Sequence, residues 1–225
     1  MALILNIETT TTNCSVSLSY EGEILVLKED NNANYSHAEW LHVFINDIIA
    51  SSNYQLKDID AVAVSKGPGS YTGLRIGVSA AKGLCYALDK PLISISTLEA
   101  LAHQVNTTEG VIIPMLDARR MEVYSAIFDS SYKDVRKIEA QILDETSFAS
   151  YLEKGPVYFV GNGVEKTKTL LTSANAIFVD DKLPSAREMG ALAEIKYKKN
   201  DIEDVAYFEP YYLKDFIALK PKPKV

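Results

Sequence analysis

Two stretches carry residue types that could handle a phosphate. The first is "GPGSYTG" (Gly67 to Gly73) within "VSKGPGSYTGLRIGVSAAKG". Gly67 and Gly69 can take positive φ, and Pro68 stiffens the chain between them. From Ser70 a helix opens, where free N–H groups and the helix dipole favour an anion. The Gly-Lys-Ser/Thr ending of a Walker loop is missing, because Lys66 precedes the glycines. The segment is therefore either a phosphate cradle or a stiff connection. The second stretch is "IETTTTNC" (Ile7 to Cys14). There Glu8 could hold a metal-bound water, and Thr9 to Thr12 could offer hydroxyl and N–H groups. It contains no glycine, so close backbone approach to a phosphate is harder. A threonine-rich hairpin turn accounts for the same residues without any chemistry. "VGNGVEK" places Gly161 and Gly163 after a strand, a weaker version of the first pattern.

Other reactive arrangements are scarce. His37 and His42 are five residues apart, so on a helix they diverge by about 140°. Metal pairs sit three or four apart, and no zinc or iron site is expected. His37 reads as the exposed start of its helix and His103 as a helix-surface residue. No serine occupies a nucleophile elbow. In "MLDARRMEVY", Asp117, Arg119, Arg120 and Glu122 surround a strand–turn–strand. The arginines could bind phosphate or a partner's carboxylate, or form ion pairs at a domain junction, the reading preferred here. Cys14 and Cys85 lie in apolar patterns without metal spacing and read as reduced core thiols.

These residues need a scaffold to position them. "LILNI", "NCSVSLSY" and "EILVLKE" read as a three-strand antiparallel meander. A helix over 36–51, capped by Ser36 with Glu39, follows. Then come a strand "DAVAVS", the glycine loop, a helix over Thr72–Leu88, a strand "PLISIS" and a helix capped by Ser96 with Glu99. The pattern restarts after "NTTEG": three strands, a helix at "ETSFASYLEK", a strand "VYFVG" and a helix over Ser185–Asn200. The expected fold is α/β, two tandem actin-like (ASKHA, ribonuclease H-like) subdomains with mixed sheets. They divide as 1–105 and 106–225, with the last segment packing back and a disordered basic tail "LKPKPKV".

Two helices have more apolar or small surface than one core face needs. Gly73, Gly77 and Ala81 recur at four-residue spacing, a stripe suited to close helix packing, while Leu74, Val78 and Cys85 lie on another face. In the helix beginning near Ser36, Leu41, Phe44, Ile45, Ile48 and Ile49 form a stripe that Trp40 and Val43 extend sideways. Such an excess is either core or subunit interface. The chain has 225 residues and a net charge of −7. That argues against a broad, autonomous grip on nucleic acid, though not against a local basic patch. No apolar run approaches the ~20 residues of a membrane span, and the N-terminus lacks a basic leader pattern. A soluble, cytoplasmic protein is expected.

In order along nearly the whole chain, "LILNIETTTTNCSVSL", "SHAEWL", "DIDAVAVSKGPGSYTGLRIGVSAAKGL", "PLISISTLEALA", "PMLDARRMEVYSAIF", "GNG" and "EPYYLK" resemble the bacterial TsaB (YeaZ) family. The resemblance implies a role in making threonylcarbamoyladenosine (t6A) on the adenosine next to the anticodon of tRNA. It implies a non-catalytic subunit that pairs with the transferase TsaD through N-terminal helices, supports recruitment of the ATPase TsaE, and forms homodimers when alone. tRNA would be met only through the complex, with no cofactor, metal, catalytic residue or membrane involved. TsaD's metal histidines are four apart, whereas four residues after His37 stands Leu41. Glu8 departs from the aspartate more usual in TsaB. The expected partner interface comprises His37, Trp40, Leu41, Phe44, Thr72, Gly73, Leu74, Gly77, Val78 and Ala81. Glu8, Thr9, Thr10, Gly67, Gly69, Gly161 and Gly163 would be a vestigial nucleotide loop. Lys214, Lys220, Lys222 and Lys224 could help tRNA dock on the complex. The alternative is an actin-like ATPase or small-molecule kinase, and behind it a metallo-glycoprotease.

Overall fold

β1 (Leu3–Glu8) is buried along its whole length, since it is the middle strand of a sheet covered on both faces. The computed structural model describes residues 2–31 and 37–214. Alternation along β1 sends Leu3, Leu5 and Ile7 to one core, and Ile4 to the other beside Ala2. β1 pairs antiparallel with β2 (Asn13–Tyr20), and β2 with β3 (Glu23–Asn31). On its other edge β1 pairs parallel with β4 (Ala61–Gly67), which pairs parallel with β5 (Leu92–Ser96). The helices α1 (His37–Ser51) and α2 (Tyr71–Leu88) cover the first core, supplying Leu41, Ile45, Ile48, Val78, Ala81 and Cys85. α3 (Thr97–Ala102) follows β5, with Ser96 accepting from the Glu99 N–H at 3.4 Å.

The second sheet repeats the first. β6 (Val111–Asp117), β7 (Glu122–Asp129) and β8 (Asp134–Ile142) form the meander, and β9 (Val157–Val160) and β10 (Ala176–Val179) add in parallel. The strand orders β3-β2-β1-β4-β5 and β8-β7-β6-β9-β10 are the same. This duplication of two mixed five-stranded sheets is the tandem actin-like, ribonuclease H-like architecture expected from the sequence.

Several boundaries differ from the sequence expectation. The helix expected at "ETSFASYLEK" is a single turn, α4 (Ala149–Leu152), because Asp144 folds the residues before it into turns through Thr146 and Ser147. α5 (Val164–Lys168) and β10 are too short for their periodicity to register. The last helix, α6, starts at Met189 instead of Ser185. Ahead of it the chain is stitched to β2: Asn13 donates to the Pro184 carbonyl at 3.0 Å, Ser17 to the Ala186 carbonyl at 2.7 Å, and the Ala186 N–H to Ser15 at 3.0 Å. α6 (Met189–Lys198) then covers the second face of the first sheet, burying Ala186, Met189, Leu192 and Ala193 against Ile4, Ala61, Ala63, Ile93 and Ile95. Beyond it, Glu203 bridges to Leu92, the Tyr211 N–H donates to the Lys66 carbonyl at 2.7 Å, and Lys214 pairs with Glu122 of β7. The Ser36 cap and the tail with Lys220, Lys222 and Lys224 lie outside the described residues.

Candidate functional site: an interdomain cleft and an outward helix face

Glu8 ends β1 with its carboxylate fully enclosed. The Thr10 N–H and Thr10 hydroxyl both donate to its Oε1 at 2.6 Å, and the Ser65 hydroxyl donates to Oε2. Burial pushes its pKa up, against the pull of these donors. The carboxylate thus serves the turn that contains it. Among the described residues no cluster of three His, Cys, Asp or Glu is placed to hold a metal ion.

The glycines of the loop and α2 have an internal purpose. A Cβ on Gly69 would lie 2.6 Å from the Thr10 carbonyl oxygen; on Gly73, 2.0 Å from the Thr9 carbonyl oxygen; on Gly77, 2.3 Å from the Thr9 hydroxyl. The absence of side chains lets α2 lie directly on the β1–β2 turn. Thr9 donates to the Gly73 carbonyl at 2.8 Å, and the Ser70 N–H donates to the Thr10 carbonyl at 2.7 Å. Gly67 has φ of 111°, and its missing Cβ makes room for the Tyr211 carbonyl. Gly161, with φ of 111°, abuts the Met115 carbonyl, and Gly163 abuts the side chains of Met115 and Val123. Their pair packs the β9–α5 turn onto β6, with Asn162 accepting the Asp117 N–H at 2.8 Å. At each of these glycines the place of a Cβ is taken by the chain itself.

This overturns part of the expected partner surface. Gly73, Leu74, Gly77, Val78 and Ala81 are buried within the chain, as is Leu41. His37 is also buried, its Nε2 2.6 Å from the Thr11 carbonyl, so it is not the exposed helix start expected. His103 is half-buried and stacked on Tyr132 at 4.0 Å, where a helix-surface residue was expected. The stripe was expected to pack closely against another helix; the close neighbour of Gly73 and Gly77 is the Thr9–Thr10 turn. Of the expected set, Trp40 and Thr72 are exposed and Phe44 is half-buried, and further residues join them. Trp40 and Val43 are each 41% exposed, and Trp40 stacks on the half-buried Phe44 at 6.0 Å. On α2, which touches α1 on the same sheet face, Thr72, Ser79, Gly83 and Tyr86 are exposed, and Ile76 and Ala80 half-buried. Nothing lies within 4 Å of a Cβ built on Gly83.

Between the two sheets lies a cleft of about 880 Å³. Its floor is the Thr10–Thr11 turn and the Pro68–Gly73 loop, and its far wall is Leu116–Arg119, Tyr124 and Asn162. The segment Tyr211–Lys214 completes its rim. Arg119 and Arg120 are exposed and, among the described residues, in no ion pair, which corrects the expected domain-junction pairing. Their carboxylate neighbours are taken by lysines: Asp117 by Lys166 at 3.0 Å, and Glu122 by Lys214. Cys14 and Cys85 are buried free thiols, with burial pushing their pKa values to about 12 and about 11. Among the described residues no helix is long and apolar enough to cross a membrane.

Two solved structures share this fold. One, described as YeaZ from Pseudomonas aeruginosa, has a TM-score of 0.81 at 24% identity, covering 95% of this chain and 100% of that one. The other, an uncharacterized protein with similarity to peptidase YEAZ from Pseudomonas aeruginosa, has a TM-score of 0.85 at 23% identity over the same shares. The family described as "TsaD: tRNA N6-adenosine threonylcarbamoyltransferase" matches residues 31–222. Proteins named "tRNA threonylcarbamoyladenosine biosynthesis protein TsaB" match from Haemophilus influenzae (31% identity, 98% of this chain, 97% of that protein) and Escherichia coli (30%, 98% of each). Matching at this level along its whole length, the chain belongs to the TsaB (YeaZ) family of tRNA threonylcarbamoyladenosine biosynthesis proteins.

Proposed function

We propose that this chain is a non-catalytic, activating subunit of the tRNA threonylcarbamoylation machinery, working in the cytoplasm. It docks on a TsaD-type transferase through the outward face of α1 and α2, and the pair recruits a TsaE-type ATPase. The observation that carries the reading is that face: Trp40, Val43 and Tyr86 are exposed apolar or aromatic groups beside the half-buried Phe44. Tryptophan and tyrosine are the residues that dominate protein interfaces. Gly83 adds to it. A helical glycine is less favourable than alanine by roughly 0.5–1 kcal/mol, and no intramolecular contact calls for it. Close approach of a partner's backbone does. The same face serves a homodimer when the partner is absent, and tRNA is met within the assembly. The non-catalytic reading is supported by the sealed Glu8 carboxylate, by glycines whose small size internal packing already requires, and by Leu41 where the transferase carries its second histidine.

The test is a Gly83→Trp variant. With open space at that position the monomer should fold with a melting temperature no lower than wild type. Its affinity for a TsaD-type partner should fall at least tenfold. A folded variant that binds as wild type refutes this docking face. Titration of Mg–ATP into the isolated chain should give no heat beyond dilution; tight binding would favour the ATPase reading.

A further inference from the structure

Arg119 and Arg120 sit side by side in the β6–β7 hairpin with φ of 70° and 51°. Arginine enters that left-handed region only where its surroundings hold it there. Here they do. Asp117 accepts the Arg119 N–H at 2.6 Å. Lys166 donates to the Arg120 carbonyl at 2.6 Å and the Glu122 carbonyl at 3.0 Å, while its charge is matched by Asp117. A half-buried lysine thus clamps the backbone of a turn whose two guanidinium groups are left to solvent.

Aromatic faces stand at the same rim of the cleft. Tyr211 and Tyr212 are 42% and 36% exposed. Tyr212 packs on Tyr71 at 5.1 Å, and the Arg75 guanidinium lies over Tyr71 at 4.5 Å, so this ladder is ordered in advance. Planar cations beside exposed rings are the means by which proteins take unpaired RNA: guanidinium groups on phosphates, rings under splayed bases. Arginine and tyrosine also serve protein interfaces; what favours RNA here is the RNA substrate of the proposed reaction, and a protein partner is the outcome that overturns it. The net charge of −7 repels nucleic acid from the rest of the surface and concentrates contact at this patch.

We propose that the Arg119–Arg120 hairpin and the Tyr211–Tyr212 segment form this chain's RNA contact, taking two phosphates and an unstacked base of tRNA within the assembled complex. The inference rests on the threonylcarbamoylation reading and names where this subunit touches the substrate.

The experiment uses the full chain bound to its TsaD-type partner, with tRNA as probe and binding measured over a range of salt. Each lost phosphate contact lowers the slope of log affinity against log salt by about 0.7 for single strands, so Arg119→Ala/Arg120→Ala should lower it by about 1.4, roughly 25-fold in affinity at 0.1 M salt. Arg119→Lys/Arg120→Lys should keep the slope. Tyr212→Ala should weaken binding with the slope unchanged. Partner association should be intact in both arginine variants, because the β6–β7 hairpin belongs to neither docking helix; Tyr212 touches Tyr71 at the start of α2, so its variant is compared at saturating partner. An unchanged slope and affinity in the double alanine variant overturns the proposal. Loss of partner association in that variant also overturns it, making the hairpin a protein contact. Failure of the wild-type chain to associate with the partner removes the underlying reading, and this inference with it, before any variant is made.

Discussion

Replacing glycine with alanine at two positions of α2 should move stability in opposite directions. At Gly73 the added Cβ falls 2.0 Å from the Thr9 carbonyl oxygen, some 1.5 Å inside an ordinary contact of about 3.5 Å. The obstacle is backbone on both sides, so α2 must lift off the turn. Overpacking of this kind costs about 1–3 kcal/mol. Lifting also stretches the Thr9–Gly73 and Ser70–Thr10 hydrogen bonds, worth about 1 kcal/mol each. Against this, alanine is favoured over glycine in a helix by about 0.8–1 kcal/mol. The net loss is about 2–4 kcal/mol, which for a chain of this size lowers the melting temperature by about 4–16 °C. At Gly83 nothing lies within 4 Å of the new carbon, so only the helix term acts, raising stability by about 0.5–1 kcal/mol. Thermal melts followed by circular dichroism at one scan rate decide the matter. A Gly73→Ala melt within 1 °C of wild type would refute the assignment of that glycine to internal packing.

Glu188 of the α6 cap has a pKa raised to about 7, chiefly by burial, with Arg187 and Gln104 opposing and the Glu29 carboxylate adding to the rise. A raised carboxyl pKa means the fold favours the neutral form. Its stabilising effect is complete below pH 4.5, the ordinary value, and is lost as pH climbs to about 7. Glu188→Gln should therefore gain on wild type across that window by about 1–2 kcal/mol after discounting partial exposure, read from urea midpoints at pH 4.5 and 7.5; a constant difference contradicts it. Both thiols should resist iodoacetamide at pH 8 in the native chain and react fully in urea, since their pKa values near 12 and 11 leave almost no thiolate; mass spectrometry counts the adducts. Lys166→Ala, which removes the clamp on the Arg120 and Glu122 carbonyls, should speed hydrogen exchange in residues 118–122 and leave α1 and α2 unchanged.

The architecture was legible because its signals are local and strong. Alternation in "NCSVSLSY", turns at Glu21–Gly22 and the restart after Asn106 suffice to expose the duplication. The four-residue rhythm of Gly73, Gly77 and Ala81 pointed to close packing of helices. It could not reveal the actual neighbour, since Thr9 is sixty-four residues from Gly73 in the chain. His37 misled for the same reason: its carbonyl partner at Thr11 comes from another element. Glu8 drew attention as a lone carboxylate in a polar turn, and only the fold reveals that Ser65, from β4, closes it off. A hint was available at Gly83, which breaks the buried stripe's spacing and marks the opposite, outward face.

The closing position of α6 has a consequence for synthesis. The face made by Ala2, Ile4, Ala61, Ala63, Ile93 and Ile95 is covered by residues 186–193. A nascent chain therefore emerges with its first sheet complete in hydrogen bonding but bare on one side, and must wait for the whole of the second sheet before the cover arrives. Chains stalled between about residues 110 and 185 hold an exposed apolar surface, the state most prone to aggregation and chaperone capture. The N-terminal subdomain is not a portable module: expressed alone it lacks its own lid, and supplying residues 184–214 as a separate peptide should restore its solubility.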